Sequence, residues 1–236
     1  MSINDNNRYK SLLEGTLNTR ELGGYSCCGG GTTKAGRILR SDRICKPTER
    51  DIAFLLDSGI TTVIDLRTDS DIAAEPCGLI SEKGFSYHHL PIEEGSYVPE
   101  SEEDIVPCYL AIARATNMVR AFRTIAEAPG GVIFNCWAGK DRTGVTAAVI
   151  LMLCGVPDEA VTENYLLTGP YSEELWEMIR QYRTEEEMKI ILPAEEHIRG
   201  FISGFRREYG SAEGYLKWLG LSEVEINAIK DKLCRR

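Results

Sequence analysis

The sequence is poor in histidine and has no Cys-x-x-Cys pair. Its 236 residues include three histidines and eight cysteines, without the spacing that zinc sites and disulfide frameworks show. The adjacent Cys27 and Cys28 lie in a glycine-rich turn, which predicts a loop and not a redox pair. We therefore expect no metal and no cofactor. Because free thiols are typical of a reducing compartment, we also expect a cytoplasmic location.

Long apolar runs and an excess of positive charge are lacking as well. No stretch is long and apolar enough to span a bilayer, and residues 1–8 lack the apolar segment of a secretion signal. Acidic residues outnumber basic ones by 36 to 27, for a formal net charge of −9. Such a charge argues against binding to nucleic acid or to anionic membranes. We expect no nucleic-acid partner and no stable membrane insertion, whereas the oligomeric state stays open.

What is present suits one α/β domain over residues 1–236. Hydrophobic residues make up 43% of the chain, enough for a substantial core. Helical patterns cover residues 102–127 and dominate from residue 157 onward. Strand patterns come earlier, at Arg37–Arg40, Thr62–Leu66, Tyr87–Ile92 and Gly131–Asn135. This order predicts a central mixed sheet flanked by helices, with a helical C-terminal third.

The strongest functional signal lies in residues 134–144, Phe-Asn-Cys-Trp-Ala-Gly-Lys-Asp-Arg-Thr-Gly. Cys136 precedes Arg142 by six positions, with Gly139 between them. An apolar strand pattern comes before this stretch, and the pattern of a buried helix begins at Thr143. The loop is therefore expected at a helix N-terminus, where backbone N–H groups and the helix dipole favour bound anions.

Each residue type in this loop suits phosphate chemistry. The field at the helix N-terminus favours the thiolate form of Cys136, which is the nucleophilic form. The planar guanidinium of Arg142 can hold two phosphate oxygens at once. A glycine lets the loop curl around an anion. The expected phosphate-binding residues are Trp137, Ala138, Gly139, Lys140 and Thr143.

The spacing alone does not establish this site, because Cys108 and Arg114 have the same spacing. That second copy contains no glycine and has the pattern of an amphipathic helix. The strand, the glycine and the helix start distinguish the loop at Cys136 from it.

The loop resembles that of the atypical cysteine-dependent tyrosine phosphatases of bacteria and fungi, His-Cys-x-Ala-Gly-Lys-Asp-Arg-Thr-Gly. Residues 18–25 are similar to the N-terminal signature of that family, and Asp65-Leu-Arg67 lies where the family has an Asp-Leu-Arg motif. The resemblance covers nearly the whole chain. It implies a phosphotyrosine-phosphatase-like fold and hydrolysis of phosphotyrosine in proteins through a phosphocysteine. Dual-specificity or phosphoinositide phosphatase activity is the alternative.

Asn135 departs from the family pattern, which has a histidine before the nucleophile. An asparagine can donate a hydrogen bond but carries no charge. The departure leaves open how strongly Cys136 is activated and gives some support to a weakly active phosphate-binding pseudophosphatase. A sulfurtransferase or arsenate-reductase type of thiol enzyme is disfavoured by the Gly-Lys-Asp-Arg-Thr-Gly context.

Phosphate transfer from an alcohol or phenol also needs a carboxyl group to exchange protons. Asp141, directly before Arg142, is our favoured general acid, and Asp65 is the alternative. Asp65 has another interpretation, as a buried partner of Arg67. Arg67 itself is expected to add positive charge at the substrate site.

Two further features bear on the substrate. Lys140 suits substrates more negative than one phosphotyrosine, such as phosphoinositides, or it pairs with an acid and stabilises the loop. Residues 93–107 and 171–188 are expected to be mobile elements over the site. Asn18, Arg20, Gly23 and Gly24 are predicted to pack behind the loop.

Overall fold

The computed structural model describes residues 9–27 and 29–234. The N-terminal octapeptide considered above, Cys28 and the two last residues lie outside this part. Within it, a five-stranded sheet has the order β1-β4-β7-β5-β6. Its strands are β1 (Arg20–Glu21), β4 (Ile38–Ser41), β5 (Ile60–Asp65), β6 (Ser86–His89) and β7 (Gly131–Asn135); a separate hairpin pairs β2 (Ser26–Cys27) with β3 (Gly31–Thr32).

The sheet is mostly parallel. Strand β7 lies at its centre and pairs in parallel with β4 and β5, and β6 adds to β5 in the same direction. Only β1 runs antiparallel, against β4. The predicted central mixed sheet is therefore confirmed, with strand limits within three residues of the predicted ones.

Helices surround the sheet and fill the last third of the chain. They are α1 (Glu49–Asp57), α2 (Asp69–Ala74), α3 (Ile105–Arg114), α4 (Thr116–Glu127), α5 (Asp141–Leu153), α6 (Asp158–Leu166), α7 (Thr168–Tyr171), α8 (Glu173–Arg180), α9 (Glu185–Ile191), α10 (Glu195–Tyr209), α11 (Ala212–Trp218) and α12 (Glu223–Leu233). None of the helices in the described ranges is long and apolar enough to cross a bilayer.

Successive side chains of a strand point to opposite faces of the sheet, and the core therefore consists of two clusters. Val132 and Phe134 of β7 face the larger cluster, which includes residues of α3 to α6 and α10 to α12. Ile133, between them, faces a smaller cluster with Leu55 of α1. Because both faces of β7 are covered, the strand is apolar almost throughout, as expected for a buried parallel strand.

The helix predicted over residues 102–127 is interrupted. A short 3-10 helix at Glu102–Asp104 leads into α3. Helix α3 ends at Arg114, and the next residue, Ala115, has an extended ψ of 138°. The sequence pattern did not reveal this break because apolar residues continue through it. Helix α2 and the two-residue strands were also not predicted, since such short elements show too little periodicity.

The parallel arrangement determines where the loop lies. Strands β4, β5 and β7 end at one edge of the sheet, with Ser41, Asp65 and Asn135 in register. Cys136 follows β7 directly, and α5 begins five residues later. The fold thus brings the loop to the carboxyl edge of the sheet, the usual position of ligand sites in open α/β sheets.

Candidate active site

The loop between β7 and α5 is built around Gly139. Its φ of +71° is in the left-handed region, which strongly favours glycine. A Cβ at this position would lie 2.7 Å from the Ser41 carbonyl oxygen and 2.8 Å from the Asp42 nitrogen. Both the conformation and the close approach to β4 therefore require glycine.

Gly139→Ala should lower stability and weaken anion binding, because the added methyl group must displace the loop from the end of β4. The left-handed conformation alone should cost roughly 1–2 kcal/mol. Denaturant titration and the dissociation constant of vanadate measure the two effects. Gly59→Ala is the matched control, since Gly59 has the same φ but open space around its Cβ position. An unchanged vanadate affinity in Gly139→Ala would contradict this account of the loop.

The loop forms the floor of a cavity of about 460 Å³. One wall comes from Gly95–Pro99 and α3, and the other from Trp176, Arg183 and neighbouring residues of α8 and α9. Both segments expected above to lie over the site thus contribute walls. The predicted site residues that line the cavity are Cys136, Trp137, Ala138, Lys140, Asp141 and Arg142.

Arg142 is held in place with part of its guanidinium unpaired. Its side chain is 5% exposed, and Nη1 donates to the carbonyl oxygens of Leu66 at 3.3 Å and Ile92 at 3.4 Å. The buried Nε has no hydrogen-bond partner among the described residues. An unpaired buried donor is costly unless a ligand satisfies it. The Nε atoms of Arg20 and Arg40 are unpaired in the same way, and what distinguishes Arg142 is that it lines the cavity together with Cys136.

Asp71 was not predicted as part of the site. Its carboxylate lies 3.6 Å from Arg142 Nη1 and lines the cavity. It also caps α2, where Oδ2 accepts the Thr68 backbone N–H. No local motif marks this residue, because it reaches Arg142 only through the fold.

Asp141 is engaged on one oxygen. Lys140 Nζ lies 2.8 Å from its Oδ1, and the Tyr109 hydroxyl donates to the same atom at 2.5 Å. Burial would lower the pKa of Lys140, but the attraction of Asp141 outweighs it, so the pKa lies above its ordinary value. Burial, followed by the charge of Asp141, raises the pKa of Tyr109 well above its usual value. Lys140 is thus a protonated, paired cation.

Asp65 and Arg67 lie elsewhere. Both side chains are fully buried and form an ion pair of 2.8 Å, and neither lines the cavity. Asp65 also accepts hydrogen bonds from Asn135 Nδ2 at 3.1 Å and from the Tyr87 hydroxyl at 3.2 Å. Burial would lower the pKa of Arg67, but its bonds to Asp65 raise it above its ordinary value. The geometry matches the interpretation of Asp65 as a buried partner of Arg67.

Asn135 takes part in this buried cluster and precedes the nucleophile candidate in sequence. Its amide joins the end of β7 to Asp65 at the end of β5. The asparagine that departs from the family pattern therefore supports the strand edge beneath Cys136, which is itself only 2% exposed.

The back of the loop is held by polar side chains. Asn18 Nδ2 donates to the Ala138 carbonyl at 3.0 Å, which confirms its predicted position. Arg40 donates through Nη2 to the Gly139 carbonyl at 2.6 Å. The Thr143 hydroxyl donates to the Ser41 carbonyl at 3.5 Å, so it faces β4 and does not line the cavity.

The other residues predicted behind the loop are farther away. Arg20 is connected to the loop only through Asn18. It donates hydrogen bonds to Asn18 and to the Asn164 carbonyl. Gly23 packs against Ala35, where a Cβ would lie 2.4 Å from the Ala35 Cα. That Gly23 packs behind the loop stays a prediction.

Trp137 lies at the rim. The Arg43 guanidinium carbon is 4.4 Å from the centroid of the Trp137 ring, a cation–π distance. The Arg43 backbone N–H also donates to the Trp137 carbonyl at 3.1 Å. The ring is thus fixed at the edge of the cavity and is not part of the core.

Comparison with known proteins gives consistent matches. The model of the tyrosine phosphatase family matches residues 11–235. A tyrosine-protein phosphatase of Nostoc commune is 27% identical over 220 residues, which cover 84% of this chain and 74% of that protein. The triple specificity protein phosphatase PtpB of Mycobacterium tuberculosis is 24% identical over 255 residues, covering 85% of this chain and 91% of that protein.

Among solved structures, the crystal structure of P. aeruginosa TpbA has a TM-score of 0.43 at 16% identity. The match covers 79% of this chain and 88% of that chain.

Proposed function

The chain belongs to the tyrosine phosphatase family, and we propose that it hydrolyses phosphotyrosine in proteins with Cys136 as the nucleophile. The observation that carries this proposal is that Cys136 and the guanidinium group of Arg142, six positions apart in one short loop, line the same cavity. We extend the proposal to one domain over residues 1–236. We also propose that the protein works in the cytoplasm, since the cysteines in the described ranges form no disulfide.

In the first step, the Cys136 thiolate attacks phosphorus and the S–P bond forms as the bond from phosphorus to the tyrosyl oxygen breaks. Arg142 and the N–H groups of the loop hold the equatorial oxygens of phosphate through the transition state. Asp141 gives its proton to the departing phenolate oxygen.

In the second step, water attacks the phosphocysteine. Asp141 takes a proton from that water as the new P–O bond forms, and the S–P bond breaks to regenerate the thiolate and release inorganic phosphate. The two steps leave Asp141 protonated again and need no redox change.

The charges and walls of the cavity favour a monophosphate on an apolar group. Lys140 is paired with Asp141, and Arg142 lies near Asp71. When Asp141 is protonated as the acid, the four side chains sum to a single positive charge. The outer walls carry Tyr97, Val98, Ile179 and Tyr182. These features suit the ring of phosphotyrosine. Lys140, which lines the cavity, supports the phosphoinositide alternative.

The direct test compares a phosphotyrosine peptide, the matching phosphoserine peptide and a phosphoinositide by kcat/KM, with a chelator present. We expect the phosphotyrosine peptide to rank first. A higher value for the phosphoinositide would make that alternative the main activity. Turnover of none of them, with vanadate still bound, would indicate a pseudophosphatase.

Asp141→Asn should slow hydrolysis of phenyl phosphate by about 10²- to 10⁴-fold but affect dinitrophenyl phosphate by less than about tenfold, because only a poor leaving group needs a proton. Steady-state rates on both esters provide the measurement. Asp71→Asn is the comparison, since that carboxylate also lines the cavity. A selective loss in Asp71→Asn, with none in Asp141→Asn, would move the acid role to Asp71.

A further inference from the structure

The two oxygens of Asp141 have different surroundings. Oδ1 receives the Tyr109 hydroxyl and the Lys140 ammonium. Oδ2 accepts no hydrogen bond from residues 9–27 and 29–234, and 28% of the side chain is exposed. When this carboxyl group is protonated, the two donors on Oδ1 leave Oδ2 as the oxygen that carries the proton.

The Tyr109 hydroxyl forms part of a chain of hydrogen bonds. A phenol has one proton to donate, and that proton goes to Asp141. The Tyr165 hydroxyl, 2.7 Å away, must then donate to the Tyr109 oxygen. Lys140 Nζ lies 3.5 Å from the same oxygen. The two tyrosine rings meet edge to face, and both are almost completely buried. As long as Oδ1 carries no proton, the hydrogen bonds run from Tyr165 to Tyr109 and from Tyr109 to Asp141.

Packing holds Tyr109 in place from the outside. Its ring contacts Phe201 of α10 with centroids 6.3 Å apart. Tyr165 lies against Gly144 of α5, where a Cβ would come within 3.0 Å of the Tyr165 ring. The hydroxyl pair is thus held by α3, α6 and α10, together with Gly144 of α5, the helix that begins at Asp141.

We propose that Tyr109 is a positioning residue that occupies Oδ1 of Asp141 and so reserves Oδ2 for proton transfer. In the first step, the Oδ2 proton passes to the leaving phenolate oxygen as its bond to phosphorus breaks. In the second step, Oδ2 takes a proton from water as the new P–O bond forms. Without the Tyr109 hydroxyl, the carboxyl group can rotate, and the proton is placed on either oxygen. The inference rests on the proposed function, in which Asp141 is the acid.

The test is Tyr109→Phe, which removes one oxygen and keeps the ring. We expect kcat/KM for phenyl phosphate to fall by about tenfold and that for dinitrophenyl phosphate by less than about twofold. The matched control is Tyr215→Phe. Tyr215 is also buried and donates to the same helix, at the Ala113 carbonyl, but does not line the cavity. That variant should show no leaving-group selectivity.

Combined variants separate the inference from its premise. If Tyr109 acts through Asp141, then Tyr109→Phe should add no leaving-group selectivity in an Asp141→Asn background. If Asp141→Asn is selective and Tyr109→Phe is not, the inference is wrong and the proposed acid stands. If Asp141→Asn shows no leaving-group selectivity, the proposed acid role of Asp141 is wrong, and the inference about Tyr109 is wrong with it. An equal loss on both esters in Tyr109→Phe assigns it a merely structural role.

Should Tyr109→Phe not fold, Tyr165→Phe takes over the test. It removes the donor that orients the Tyr109 hydroxyl and leaves the hydroxyl itself in place. A smaller loss with the same preference for phenyl phosphate is expected, and an equal loss on both esters would overturn the proposal.

Discussion

Cys136→Ser should reduce kcat on any aryl phosphate by roughly 10⁶-fold, the order of loss when a hydrolase loses its nucleophile. A serine hydroxyl stays protonated at neutral pH, and the site holds no group placed to take that proton from it in our proposal. The side chain is 2% exposed at the end of β7, so the smaller serine should leave the loop intact. Steady-state rates with a chelator present, together with vanadate affinity, measure both consequences.

Cys108→Ser is the matched control for this prediction. Cys108 also lines the cavity and has the same spacing to an arginine. It lies on α3, however, and burial followed by the charge of Asp141 raises its pKa to about 11. It is therefore a thiol at neutral pH, and its replacement should preserve most of the activity. Full activity in Cys136→Ser, or loss only in Cys108→Ser, would overturn the phosphocysteine route.

Asp65→Asn should destabilise the protein by about 3–5 kcal/mol, because it leaves Arg67 charged, buried and without its partner. For a chain of this size, the thermal midpoint should fall by about 10 °C. The hydrogen bonds from Asn135 and Tyr87 would also lose their charged acceptor. Denaturant titration gives the free energy of unfolding.

The control for that loss is Asp158→Asn. Asp158 pairs with Arg206 at a site where both side chains are partly exposed, and such pairs contribute about 1 kcal/mol or less. Equal losses in the two variants would contradict the structural role of Asp65. If Asp65→Asn folds normally and loses rate only on phenyl phosphate, Asp65 and not Asp141 is the acid.

The sequence predicted the parts of this site that are contiguous. Cys136 to Arg142 lie within seven residues, after an apolar strand and before a buried helix, so a single segment contains the physical signals of an anion site. Gly139 was expected to allow the loop to curl, and its positive φ agrees with that expectation. The strand at Gly131–Asn135 was predicted with its observed limits.

The groups that reach the loop from elsewhere could not be predicted in the same way. Tyr109 and Asp71 come from α3 and α2, and nothing in their local sequence distinguishes them from packing or capping residues. Their positions depend on how helices cross the sheet, which hydrophobic periodicity does not specify. The orientation of Trp137 was open for the same reason, since its contact with Arg43 requires two segments to meet.

The attachment of α3 bears on any shortened form of this chain. Tyr215 of α11 binds the last turn of α3, while Gly200 of α10 lies so close to Val106 that a Cβ would be 2.5 Å from its Cγ2. The helical C-terminal third consequently packs against α3 and holds in place the helix that carries Tyr109. A fragment ending near Pro193 would contain every residue of the loop. It would lack α10 and α11, which hold α3 and so keep Tyr109 against Asp141. Residues 195–221 belong in any minimal catalytic unit.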